Sequence, residues 1–129
     1  MGYHQAKGMT IVATILVALV ALEHLYILWI EMFAWTTKGR KVFKGVLPDE
    51  LFEPTRGLAA NQGLYNGFLA AGLIWGLTIA EPLWSLRVQL FFLLCVVTAA
   101  TYGAMRSSPS ILIKQGLPAI LALFALLLR

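Results

Sequence analysis

Residues 9–35, MTIVATILVALVALEHLYILWIEMFAW, form an apolar stretch that contains three ionisable side chains, Glu23, His24 and Glu31. A helix of about 20 apolar residues spans the hydrocarbon core of a bilayer, so this stretch is long enough to cross it. A charged side chain at the bilayer centre costs at least about 2.5–3.5 kcal/mol, and such residues usually face a bundle interior or a wet cavity. The stretch therefore predicts a membrane helix, and its ionisable groups mark a candidate site.

The composition of the whole chain is typical of an integral membrane protein. Its 129 residues are 60% hydrophobic and 12% charged, with a mean hydropathy of +0.80, whereas soluble domains are about 25% charged. The single cysteine, Cys95, lies in apolar sequence and cannot form an intrachain disulfide. We interpret residues 1–129 as one transmembrane domain.

Three further apolar stretches follow the first, and turn residues separate them. They predict an all-α fold, an integral membrane four-helix bundle, because each stretch is close to the length that a bilayer requires. Pro82 marks the second turn, and Pro109 marks the third. We expect spans at about 9–35, 58–79, 86–105 and 111–128, with a basic loop at 36–57.

The distribution of basic residues predicts the orientation. Seven of them fall on the side of the basic loop and three on the opposite side. By the positive-inside rule the loops with more Lys and Arg are cytoplasmic, which places both termini on the external side. We therefore expect a multi-pass protein of the cell (inner) membrane whose basic loop contacts membrane lipids, and the net charge of +4 does not indicate a nucleic-acid partner. The two sets are Lys38, Arg40, Lys41, Lys44, Arg56, Arg106 and Lys114, against Lys7, Arg87 and Arg129.

Polar side chains of the other spans lie at the depth of these ionisable groups, in the cytoplasmic half. Polar groups inside a bilayer must find partners within the protein or line a water-filled cavity, so we predict one polar recess with Glu23 and His24 at its floor. Helical phase places His24, Glu31 and Trp35 on one stripe, with Glu23 about a quarter-turn away. The candidate catalytic residues are Glu23, His24 and Glu31, and the candidate ligand-binding residues are Asn61, Gln62, Tyr65, Asn66, Tyr102 and Gln115.

Two GxxxG patterns in the second span predict close helix packing. Small residues at this spacing let two helices approach, within one chain or between two copies. Gly63 and Gly67 lie opposite the amides, whereas Gly72 and Gly76 lie on the amide face nearer the external side. Close packing at the second pair would seal the recess from outside. A homo-oligomer through these four glycines is a further expectation.

Three functions from different classes fit this pattern. The first is the binding of a small amphipathic or lipid-soluble molecule, with Glu23 and His24 available to convert it by acid/base chemistry. The second is proton-coupled transport with Glu23 as the coupling carboxylate, and the third is a structural membrane subunit. The first is slightly favoured, and whether the protein is an enzyme stays open. We predict no cofactor and no metal, because His24 and Glu31 lack the close ligand pairs of metal sites.

Four segments together resemble one protein family. They are ALEHLYILWIEMFAWTT at residues 21–37, KVFKG at 41–45, LFEPTRGLAANQGLYNGFLAAGLIWG at 51–76 and KQGLPA at 114–119. In these segments the chain resembles the small integral membrane proteins of bacteria and fungi in domain-of-unknown-function family 1304. The likeness extends from the first span to the fourth. It implies four helices, and the family has no established activity to transfer.

Overall fold

The computed structural model describes residues 3–107 and 109–129, without the side chains of residues 3–7, 9, 111 and 112. Over the described residues the chain is helical, and its extended pairing is limited to one bridge between Lys44 and Leu47, so the all-α prediction is confirmed. The helices are α1 (Tyr3–Phe33), α2 (Lys38–Val42), α3 (Arg56–Thr78), α4 (Pro82–Arg106), α5 (Pro109–Ile111) and α6 (Leu117–Leu128), with a 3₁₀ turn at Asp49–Leu51 and a π-helical turn at Leu112–Gly116.

The last helical segment departs from the continuous span predicted at 111–128. A π-helical turn at Leu112–Gly116 separates α5 from α6. Pro118 lies two residues after this turn, and its ring excludes the regular hydrogen bond to the carbonyl of Lys114, four residues earlier. Prolines and π-turns are the usual causes of helix irregularity. The wide turn therefore lies where the sequence prevents a regular helix.

The four long helices form a ring in which chain neighbours are also spatial neighbours. α1 packs against α3 and α6, and α4 packs against the same two helices, an up-and-down arrangement in which the connection from α1 to α3, at residues 34–55, is long and the later ones are short. Five of the eight residues that α1 and α6 contribute to the buried core are alanines, and small residues allow two helices to approach closely. The buried core consists of Ala13, Val17, Val20, Ala21, Leu73, Leu93, Val96, Ala119, Ala122, Ala125 and Leu126.

The glycines of α3 are used for packing inside the chain. A Cβ on Gly63 would lie 2.9 Å from the Cβ of Glu31 on α1, and Gly67 faces Leu28 of the same helix. Gly72 lies against the ring of Phe92 on α4, and Gly76 lies against Gln89. Each GxxxG pair thus contacts a different helix. Gly63 and Gly67 lie on the α1 side of α3 together with Asn66, so the prediction that they lie opposite the amides is wrong for Asn66. Association of two copies through these glycines stays a prediction, but all four already contact helices of their own chain.

Two successive hydrogen bonds link α4 to α3 at the end of the bundle remote from the basic loop. Gln89 is 3% exposed and donates from Nε2 to the Ser85 hydroxyl at 2.9 Å. Ser85 in turn donates to the Gly76 carbonyl at 2.7 Å. Since buried polar groups need hydrogen-bond partners, these two hydrogen bonds allow Gln89 to be buried in a mostly apolar half of the bundle.

The basic loop folds around three aromatic rings rather than lying extended. Trp35 packs against Phe43 and Phe52, with ring centroids 5.5 and 5.0 Å apart, and its Nε1 donates to the Thr55 hydroxyl at 3.0 Å. Phe52 is only 1% exposed. Burial of aromatic surface is the main stabilising term of such a cluster. It holds the loop against the end of the bundle.

Two helical segments are long and apolar enough to cross a membrane. They are Thr10–Phe33 and Pro82–Arg106, with mean hydropathies of 2.3 and 1.8, whereas the apolar segment Ile113–Leu128 is shorter. Large apolar side chains such as Leu22, Phe91 and Phe124 are exposed on the outer faces of α1, α4 and α6. Length and composition therefore support membrane association. Of the four predicted spans, two are long and apolar enough to cross a membrane by these criteria.

We expect Gly63→Ala to destabilise the bundle. The added Cβ would lie 2.8 Å from Met32 Cγ and 3.2 Å from the Leu28 carbonyl oxygen, and overpacking of this kind costs about 1–3 kcal/mol. The midpoint of thermal unfolding in detergent should therefore fall. Gly57→Ala is the matched control in the first turn of α3, because nothing lies within 4 Å of its added Cβ. Equal midpoints for the two variants would contradict the packing described here.

Candidate functional site

A recess of about 280 Å³ lies where α1, α3, α4 and the π-helical turn meet the basic loop. We call it the Glu31 recess. Five of the predicted site residues line it, contributed by three separate elements, and apolar or small side chains complete its wall. The five are Glu31, Gln62, Tyr65, Asn66 and Gln115, and the others are Phe43, Leu69, Ala99 and Gly103.

A hydrogen bond between α1 and α3 fixes the acidic group of this recess. Asn66 donates from Nδ2 to Glu31 Oε1 at 2.6 Å. Glu31 is 4% exposed, on the core-facing stripe of α1. An ionised carboxylate accepts several hydrogen bonds, so the bond to Asn66 orients Glu31 and leaves it able to accept another donor.

A second recess, of about 330 Å³, is lined by another part of α1 together with the loop and the π-helical turn. We call it the Glu23 recess. Phe43 and Gln115 line both recesses, so the two adjoin. The sequence predicted one recess, whereas among the described residues Glu23 and Glu31 line two adjoining ones, because they lie about a quarter-turn apart on α1. The lining residues are Glu23, Tyr26, Ile27, Ile30, Val42, Phe43, Lys114 and Gln115.

His24 lies in the core and lines neither recess. It is 1% exposed, and its Nδ1 donates to the Val20 carbonyl at 2.9 Å. Side chains of a helix lean toward its N-terminus, and this bond turns the imidazole in that direction, away from the basic loop. The predicted place of His24 on the recess floor beside Glu23 is therefore not what the structure has, and a proton-transfer role stays a prediction.

Two predicted ligand-binding residues lie outside both recesses. Asn61 is exposed on α3, about 100° around the helix from Gln62. Tyr102 is 65% exposed and lines a shallow groove on the outer face of α4 with Phe91 and Cys95. For these two residues, a position in the same half of the predicted bundle did not lead to a position at either recess.

The loop contributes lining residues that sequence reasoning missed. The sequence predicts lipid contact for the basic loop and no site residue within it, yet Phe43 of this loop lines both recesses and Val42 lines the Glu23 recess. The signal that would have identified Phe43 is its aromatic partner Trp35, at the end of the first span. A separate recess of about 570 Å³ within the loop includes Arg40 and Asp49, which already form an ion pair at 3.0 Å.

The described side chains offer a hydrogen-bonding site rather than a metal centre. Among the residues that the structure describes, no three His, Cys, Asp or Glu side chains are close enough to hold a metal ion. The Glu31 recess combines one carboxylate, three amides and a phenol with an apolar wall. Such a surface suits a small molecule that carries a hydrogen-bond donor and an apolar body.

Comparison with known proteins identifies the family and no activity. A family described as "Protein of unknown function (DUF1304)" matches residues 18–127. A relative from Lactococcus lactis subsp. lactis (strain IL1403), "Uncharacterized protein YpaA", is 36% identical over 118 residues, which cover 91% of this chain and 98% of the relative. No solved structure matches the chain. The chain thus belongs to the DUF1304 family, whose function is unknown.

Proposed function

We propose that this protein is a four-helix integral membrane protein that binds a small amphipathic or lipid-soluble molecule in the Glu31 recess. One observation carries the proposal. Glu31, held by Asn66, borders a recess into which three other helical elements and the loop also contribute. Packing alone requires only that Glu31 and Asn66 satisfy each other. Gln62, Tyr65 and Gln115 line the same recess, and helix packing does not require these additional polar side chains.

The lining supports an occupant with a hydrogen-bond donor, such as an amine or a hydroxyl. The donor would bond to the Glu31 carboxylate, which is acceptor-only when ionised. The apolar part would contact Phe43, Leu69 and Ala99. A volume of about 280 Å³ lies at the lower end of ligand pockets, which span about 300–1,000 Å³. The recess therefore suits a small molecule or one group of a larger one.

The bundle would cross the membrane four times with both termini external. α3 has 23 residues, enough for about 35 Å at 1.5 Å per residue, and four of its glycines and Asn66 contact neighbouring helices. α5, the π-helical turn and α6 together would form the fourth span. Seven basic residues on the loop side against three on the other support a cytoplasmic loop.

Binding is better supported than either conversion or transport. Acid/base chemistry uses a donor and an acceptor of protons near the reacting group, and Glu31 is the one carboxylate among the residues that line its recess. Transport requires access from both sides, whereas the half remote from the loop has Gly72 packed on Phe92 and Gly76 on Gln89. These contacts support a recess with a single entrance.

A fluorescent amine tests the proposed binding. Dansylcadaverine carries a primary ammonium and an apolar fluorophore, and it should bind the protein in nanodiscs with a blue shift beyond that in empty nanodiscs. We expect Glu31→Gln to weaken binding about tenfold, because a charge-assisted hydrogen bond worth about 1.4 kcal/mol is lost. Asn66→Ala should also weaken it, since Glu31 loses its orienting donor.

The controls separate the recess from general partitioning into lipid. Thr101→Ala removes an exposed α4 hydroxyl that bonds within its own helix, and its affinity for the dye should equal that of the parent protein. N-acetyl-dansylcadaverine, which lacks the ammonium, should bind more weakly. Equal affinity of the parent protein and Glu31→Gln would refute the proposed binding role of this recess.

The topology has its own test by cysteine labelling. In a Cys95→Ala background, Lys44→Cys in the loop should react with a membrane-impermeant maleimide only when the cytoplasmic side is accessible. Glu81→Cys, in the turn before α4, should react only from the external side, because an odd number of spans separates the two positions. The readout is gel-shift labelling of intact cells and inverted vesicles. Labelling of both positions from one side would exclude the four-span arrangement.

A further inference from the structure

We propose that the Glu23 recess is a second binding site, which takes the phosphoethanolamine headgroup of a membrane lipid. In this site the ammonium donates to Glu23 and the phosphate lies toward Lys114 and Gln115. The recess differs from the Glu31 recess in its charges: it has one acidic and one basic side chain, Glu23 and Lys114. The inference does not depend on the function proposed for Glu31.

The first step concerns Glu23. Its Oε1 is buried, and no hydrogen-bond donor among the described residues reaches it. Leaving a buried acceptor without a donor costs free energy, and the cost is larger when the group is charged. Native proteins rarely retain such a group without a ligand, an ion or a water that satisfies it. An occupant with an N–H donor beside Glu23 meets this requirement.

The second step concerns Lys114. It is exposed, and its ammonium forms no ion pair with an acidic side chain in the described part of the chain. It lines the same recess as Glu23, yet the two side chains do not satisfy each other. Gln115 beside it can donate from its amide. Lys114 and Gln115 therefore provide a place for an anionic oxygen at the recess that holds Glu23.

The third step concerns the walls, which identify the source of the headgroup as a lipid. Ile27, Ile30, Val42 and Phe43 surround the polar groups with apolar surface. Tyr26, at the border of the recess, is 46% exposed. Next to it the outer face of α1 carries exposed Leu22 and Trp29. Acyl chains could lie along this face while the headgroup enters from the side.

The chemistry of common headgroups makes the inference selective. A primary ammonium carries N–H groups that can donate to a carboxylate, and a trimethylated ammonium carries none. A glycerol headgroup has hydroxyl donors and no positive charge. Hydrogen bonds between ionised groups are about twice as strong as neutral ones. The site should therefore prefer phosphatidylethanolamine to phosphatidylcholine and phosphatidylglycerol.

Native mass spectrometry of the full chain tests this preference. The protein is reconstituted with equal amounts of the three dioleoyl lipids, released from detergent, and scored for the lipid that stays bound. The parent protein should retain one phosphatidylethanolamine in preference to the others. Glu23→Gln and Lys114→Gln should each reduce the preference about tenfold, equivalent to about 1.4 kcal/mol.

A matched variant and a soluble probe complete the experiment. Lys41→Gln removes an exposed cation of α2 that does not line the recess, and it should keep the parent preference. Size-exclusion profiles establish that each variant is folded. Added phosphoethanolamine at millimolar concentration distinguishes recognition of the free headgroup from recognition of the lipid. Displacement of the lipid shows that the headgroup alone is recognised. Retention of the lipid shows that the whole lipid is needed.

The inference is overturned if the parent protein retains phosphatidylethanolamine and phosphatidylcholine equally, or if both recess variants keep the parent preference. These outcomes are independent of the dansylcadaverine measurement. If the protein binds the dye but shows no headgroup preference, only the proposed lipid site at the Glu23 recess is refuted. If the protein shows the headgroup preference but does not bind the dye, only the proposed function of the Glu31 recess is refuted.

Discussion

The close approach of α3 to α1 at Gly63 is the constraint on which the rest of the site depends. Because Gly63 has no side chain, the backbone of α3 reaches the Cβ of Glu31. Three residues later on α3, Asn66 is then near enough to donate to Glu31 at 2.6 Å. A larger residue at position 63 would separate the helices and break this bond. The glycine thus determines both the packing of the pair and the position of its acidic group.

Two irregular elements, the basic loop and the π-helical turn, complete the lining of the two recesses. The aromatic cluster of Trp35, Phe43 and Phe52 folds the loop so that Phe43 contributes to both recesses. The π-helical turn before Pro118 places Gln115 at both recesses and Lys114 at one. π-Turns inside helical segments occur frequently at functional sites. Here the turn and the loop create space that four regular, closely packed helices would not leave.

Glu23 and Glu31 have different surroundings although they lie only eight positions apart on one helix. Glu31 has an amide donor from α3, and Glu23 has no donor among the described residues. The difference follows from helical phase, because Glu31 faces α3 and Glu23 faces a recess that the loop and the π-helical turn complete. Membership of the DUF1304 family, whose function is unknown, gives no activity with which to compare them. The two acidic groups are therefore best studied as separate sites.

The sequence by itself determined the all-helical fold and the approximate positions of the long helices, and its nine candidate residues included the five polar ones that line the Glu31 recess. Apolar length and helical period fix these features, since both are local properties of the chain. Only the tertiary structure decided that Glu23 and Glu31 line different recesses, that His24 turns back to Val20, and that Asn61 and Tyr102 face outward. The physical reason is that these outcomes depend on the rotation of each helix about its axis and on the fold of the loop. Contacts between distant residues, such as Gly63 with Glu31, set that rotation, and no local pattern encodes it.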